Sequence, residues 1–138
     1  MKRLDLDDLL GDRYPDASFH DSELTSLSID YAGSSVAMGF RIPIATKDNV
    51  YIYEQGSLFI SGLHFISIEP PDTGEGTVHA APLWITSDGP YPDEHVQCSV
   101  APPESLPDSA YCHYFYSSDT NSFIVIAAKE FSFTWYTH

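Results

Sequence analysis

Lysine and arginine are scarce in this chain: six in 138 residues, and none at all across the 81 residues from Asp48 to Ala128. The same stretch holds eleven Asp or Glu, and the formal net charge is −14. Nucleic-acid binding needs cations set against phosphates, so that class of function is excluded as an expectation. An anionic membrane surface would repel the chain for the same reason. The complementary partner is a basic protein. The alternative is that the acids serve solvation alone.

Cysteine is nearly absent as well. Cys98 and Cys112 are the only two, too few for a secreted disulfide scaffold or for a zinc site without histidine help. Both are expected as reduced thiols. No run approaches 18 apolar residues, so no membrane-spanning helix is expected. Lys2-Arg3 is followed by Leu-Asp-Leu-Asp-Asp, too acidic for a signal peptide. The expected location is the cytoplasm.

Catalytic signatures are missing too. None of His20, His64, His79, His95, His113 and His138 stands three or four residues from another, as zinc motifs require. His113 neighbours Cys112, but adjacent strand residues point to opposite faces. His20-Asp21 has the look of the His-Asp pair of metal phosphohydrolases, yet it precedes a strand and lacks the further ligands. No G-x-S-x-G elbow occurs. The gap in basic residues works against a low-pKa cysteine nucleophile. In Thr73-Gly74-Glu75-Gly76 a carboxylate stands where phosphate would sit. No enzymatic activity, metal or cofactor is expected.

What the chain has is alternation and aromatic rings. Hydrophobic residues make up 43% and aromatics 14%, enough for a core and weighted towards strands. Leu4, Leu6, Leu9 and Leu10 among acids predict one short helix stopped by Gly11. Leu27, Ile29 and Tyr31, then Val36, Met38, Phe40 and Ile42, predict a β-hairpin around Ala32-Gly33-Ser34. Pro43 limits its second strand. Val50–Glu54 reads as a short strand, separated by Gln55-Gly56 from a longer one over 58–68, with a bulge or corner at Gly62. Leu83-Trp84-Ile85 and 96–100 are candidate strands. Tyr111–Ser117 leads through a turn to Phe123–Ala128, apolar on both faces and so central. A separate last strand carries Phe131, Phe133 and Trp135. The expectation is seven to nine strands in one mainly β domain over residues 1–138, an antiparallel sheet curled into a sandwich or partly open barrel, with one short N-terminal helix.

Residues 70–110 differ. Eight of ten prolines fall between Pro70 and Pro107, and prolines stiffen loops that have no secondary structure. Stiff acidic loops suit a preorganised recognition surface, or else form an insertion at a sheet edge. The candidate partner-binding residues are Asp72, Glu75, Asp88, Tyr91, Asp93, Glu94, Glu104 and Asp108. Among Tyr51, Tyr53, Tyr91, Tyr111, Tyr114 and Tyr116, several are expected to face outward by alternation, and tyrosine is enriched at interfaces.

Phe19-His20-Asp21-Ser22-Glu23-Leu24, running into Thr25–Asp30, resembles the opening of a bacterial family of small β-rich proteins. That family includes predicted immunity proteins of polymorphic toxin systems, the group called immunity protein fifty, and relatives of no assigned function. The likeness extends over Val36–Pro43 and, more faintly, Leu58–Leu63 and Ala128–Phe131. It implies a cytoplasmic immunity protein that neutralises a toxin, a basic nuclease being one candidate, by occupancy. Within the block Phe19, His20, Asp21 and Glu23 are read as structural: Phe19 as a plug for the barrel end, Asp21 as an acceptor of backbone amides. The alternatives are a small-ligand-binding β-barrel and a hydrolase with an unrecognised carboxylate or metal site.

Overall fold

The computed structural model describes residues 4–71, 81–101 and 104–136. Within these lie one helix, α1 (Asp8–Gly11), and seven strands: β1 (Glu23–Asp30), β2 (Ser35–Lys47), β3 (Val50–Ile68), β4 (Leu83–Trp84), β5 (Ser87–Pro90), β6 (Tyr111–Ser117) and β7 (Ser122–Trp135). They form a single antiparallel sheet in the order β4-β1-β2-β3-β7-β6-β5, rolled into a half-barrel.

The roll follows from one short piece of chain. β4 pairs with Glu23 and Leu24 at one edge of the sheet, and β5 pairs with His113 to Tyr116 at the other. Laid flat, seven strands would hold those edges about 29 Å apart. Only Ile85 and Thr86 separate β4 from β5, and three residue steps span at most about 11 Å. The same segment is bonded on both sides. Ile85 donates its N–H to Ser22 O and accepts from Asp21 N, both at 2.8 Å, while Thr86 N donates to Tyr116 O at 2.9 Å.

Two strands are longer than the sequence predicts. β3 runs unbroken through Gln55-Gly56, and β7 through Lys129-Glu130. The missing side chain of Gly56 is replaced by the ring of Phe133, whose Cε1 lies 2.4 Å from where a Cβ would stand. β2 also continues past Pro43, with a register shift between Pro43 and Ala45. Pairing of β2 with β1 ends at Arg41, so Pro43 lies where β2 has one free edge, a place in a sheet that tolerates proline. Gly62 has φ +63°, but the β3–β7 register runs unbroken across it and shifts between Leu63 and Phe65, so the bulge lies two residues on, at His64. Residues 96–100 form no strand, and β5 was not anticipated.

The sheet buries apolar side chains on both faces where β6 and β7 meet. Inward, Ile124, Ile126 and Ala128 join Met38, Phe40, Ile42, Leu58, Ile60 and Phe115 in the main core. Phe19 fills the end of that core, its ring 5.1 Å from Phe40, 5.8 Å from Phe115 and 5.9 Å from Phe133, and Leu6 and Leu10 close over it. Outward, Val125, Ala127 and Cys112 pack with Tyr91 and Tyr114 in a second cluster. No helix among the described residues is long and apolar enough to cross a membrane.

Candidate partner-binding face

The second cluster needs a cover, and residues 91–101 and 104–110 supply it. Val96, Cys98 and Leu106 pack on it from outside the sheet, so the described residues between 91 and 110 form a strap across the back of β6 and β7. Tyr91 is its anchor. The Tyr91 amide donates to Cys112 O at 3.0 Å and its hydroxyl donates to the carbonyl of Val100. Local turns stiffen the rest: Val96 N donates to Asp93 O, His95 N to Asp93 Oδ1, and Ala110 N to Pro107 O.

Of the predicted partner-binding residues, Asp93, Glu94, Glu104 and Asp108 are exposed on this strap. Asp72 and Glu75 lie outside the described residues. Two corrections follow. Tyr91 does not face solvent; it is 5% exposed, because its ring completes the second cluster. Burial, with the Cys98 thiol beside it, pushes its phenol up to about 12. Asp88 is not a free surface acid either. Its side chain is 11% exposed and its Oδ2 lies 2.8 Å from Nε2 of His113. Tyr111 and Tyr114 are buried too, leaving Tyr51 exposed and Tyr53 and Tyr116 half-buried.

Between strap and sheet runs a cleft of about 550 Å³ lined by Ser87, Asp93, His95, Val96, Gln97, Tyr114, Tyr116, Asn121 and Phe123. Its floor is aromatic. Tyr116 and Phe123 face each other across β6 and β7 with ring centroids 4.4 Å apart. No lysine or arginine lines it.

The Phe19–Glu23 block borders a different cleft, about 440 Å³, under the free ribbon of β2 and β3. His20 is exposed, and its Nε2 lies 3.7 Å from Asp21 Oδ2, too long for a hydrogen bond and too wet to add much stability. Asp21 accepts instead from the Tyr51 hydroxyl at 2.9 Å, which raises the Tyr51 phenol pKa. The backbone amide expected at Asp21 goes to Asp7, whose Oδ1 takes Phe19 N and whose Oδ2 takes Ser18 Oγ, each at 3.0 Å. Glu23 pairs with Arg41, whose guanidinium lies over the Tyr53 ring.

One buried polar network escaped the sequence reading. His113, 2% exposed, places Nδ1 2.6 Å from the Tyr111 hydroxyl and Nε2 2.8 Å from Asp88. Tyr111 and His113 stand two apart on β6, hence on one face. The spacing Tyr-x-His was the available signal. Its carboxylate partner arrives from β5, 25 residues away. Both ring nitrogens are engaged by protein partners. Burial raises the pKa of Tyr111 and of Asp7, which lines a small pocket beside the network, with Asp88 adding to the effect on both. Cys112 points to the opposite face, and burial pushes its thiol up to about 11, far from an activated nucleophile. Among the described residues no group of three or more His, Cys, Asp or Glu is set to hold a metal ion.

Comparisons with protein-family models, with curated proteins and with solved structures find no match.

Proposed function

We propose that this chain is an acidic protein-binding module that neutralises a basic protein by occupancy, in the manner of an immunity protein paired with a toxin. The observation that carries the reading is the strap. Asp93, Glu94, Glu104 and Asp108 are displayed on a segment pinned by a buried tyrosine, within a stretch that has no lysine or arginine. A field of one sign speeds encounter with a cationic partner, and a segment that is already ordered loses little entropy on docking. The mechanism needs no chemistry: the half-barrel is a rigid support and the strap blocks a positive cleft. The two alternatives have less behind them. Phe19, Phe40 and Phe115 fill the interior that a ligand barrel would leave open, and His113, 2% exposed, is buried out of easy reach of a substrate.

The test needs a candidate basic toxin, to be sought among the products of genes neighbouring this one. Co-expression should protect cells from it. Association should be fast at low salt and slow by about tenfold or more as screening shortens the Debye length. The triple variant Glu94→Gln, Glu104→Gln, Asp108→Asn should associate more slowly and with a flatter salt dependence. Full protection and unchanged kinetics in that variant would refute the electrostatic mechanism.

A further inference from the structure

We propose that the cleft between the strap and β6–β7 is a receptor for one guanidinium group, an arginine side chain of the protein partner. The inference rests on the proposed function for the partner being a protein; the chemistry of the cleft is independent of it. Tyr116 and Phe123 give the floor, tilted 35° to each other, with Tyr114 beside them at 6.2 Å from Phe123. Both hydroxyls are already engaged. That of Tyr116 donates to Asn121 Oδ1 at 3.0 Å, and that of Tyr114 shares a 2.8 Å bond with Ser87 Oγ. The rings are thereby held in place, and what they offer is their π faces. A ring face attracts a cation.

The rim agrees with the floor. Asp93 lines the cleft and is exposed, with Oδ1 held by the His95 amide. The Gln97 and Asn121 side chains add neutral polar groups. An anion would meet the Asp93 carboxylate and, of basic side chains among the described residues, only His95, whose Nε2 lies 3.4 Å from Glu94 Oε1. A neutral apolar ligand would bury Asp93 without compensation. A guanidinium satisfies both halves, because it stacks flat on aromatic rings and donates in its own plane to a carboxylate. An ammonium is compact and strongly hydrated and gains less from the floor. The volume, about 550 Å³, also leaves room for the aliphatic stem.

The test is a titration of the isolated protein with N-acetyl-arginine methylamide, followed by aromatic and amide NMR. The lysine and citrulline analogues serve as competitors of altered charge and shape. The expected result is saturable shifts confined to Tyr114, Tyr116, Phe123 and Gln97, about threefold tighter for arginine than for lysine and lost for neutral citrulline. Asp93→Asn, which keeps the acceptor for the His95 amide, should weaken binding about fivefold. Tyr116→Leu should weaken it at least as much, with core resonances such as Ile60 reporting that the fold persists. The strap variant at Glu94, Glu104 and Asp108 should leave this small-probe affinity within about twofold, since those acids act at long range. Shifts that never saturate, that spread over the acidic surface, or that citrulline reproduces would overturn the inference and leave the strap reading standing. Intact probe binding with salt-independent partner association would sink the strap reading alone.

Discussion

Asp88 and His113 are joined at 2.8 Å, the carboxylate of an edge strand to a histidine buried in its neighbour. The bond fastens β5 to β6 from a face that backbone pairing does not reach, and the Tyr111 hydroxyl completes it from the other ring nitrogen. Removing the carboxylate strands a buried donor. Asp88→Ala should therefore cost about 1–3 kcal/mol, read as a lower urea midpoint. Glu94→Ala on the exposed strap should stay within about 0.5 kcal/mol. In a cycle with His113→Leu, the double variant should cost less than the sum, by about 1 kcal/mol or more. Additivity would mean that the two groups do not depend on each other.

Gly56 and Gly62 are required for different reasons, and their substitutions separate the reasons. At Gly56 a Cβ would stand 2.4 Å from Phe133 Cε1 and 2.8 Å from the Thr134 carbonyl oxygen. Gly56→Ala should destabilise by about 1–3 kcal/mol through overpacking, and Phe133→Leu in the same chain should recover part of that. At Gly62 the backbone has φ +63°, so Gly62→Ala should cost about 1–2 kcal/mol through strain, and Gly62→Asn should cost less because asparagine tolerates that region better. Equal losses for Ala and Asn at position 62 would point instead to the Lys129 Cβ, 2.8 Å from the added atom.

These glycines also mark the border of what the sequence discloses. Period-two alternation is a local property, so the strands around Leu27 and Met38 and the curled antiparallel sheet were legible. Strand continuity at Gly56 was not, because it depends on a ring 77 positions later in the chain. Pro43 read as a strand end, since nothing local reveals that β2 is an edge beyond Arg41. Of the candidate site, the exposed acids of the strap could be picked out by composition alone. Asp88 reads as one more acid of the Pro-rich region, and only the pairing of β5 with β6 turns it inward. Tyr91 looked like a recognition aromatic and proved to be an anchor, because the outer face of β6 and β7 is apolar and something must cover it.

Alkaline pH should unfold this protein through groups that the fold keeps protonated. Burial raises Cys112 from 9.0 to about 11 and Tyr91 from 10.0 to about 12, and raises Tyr111 as well. Above the ordinary values the unfolded chain gives up these protons and the native state retains them, so the unfolded state binds fewer and stability falls with rising pH. The contribution is complete below pH 9.0 and is lost as pH climbs towards about 12. Urea midpoints measured from pH 8 upwards should begin to drop near pH 9 in the native sequence. In Cys112→Ala the drop should start about one unit later, where the tyrosines take over, whatever the variant loses in packing at every pH. An unchanged onset would remove the thiol from this account.

The hydroxyl of Tyr91 links the stability of the strap to its proposed use. Its bond to the Val100 carbonyl ties the middle of the strap to a ring sunk between Cys112 and Val125. Tyr91→Phe keeps the ring and deletes the tie. Its global cost should be small, about 1 kcal/mol, but the freed segment should open locally far more often. Limited proteolysis within residues 93–108 should accelerate in Tyr91→Phe while β-sheet amides keep their hydrogen-exchange protection. If the strap acts as a preordered surface, the same variant should bind the partner more weakly even though no acid has changed. Faster cleavage with undiminished partner affinity would mean that charge alone matters and that the order of the strap is incidental.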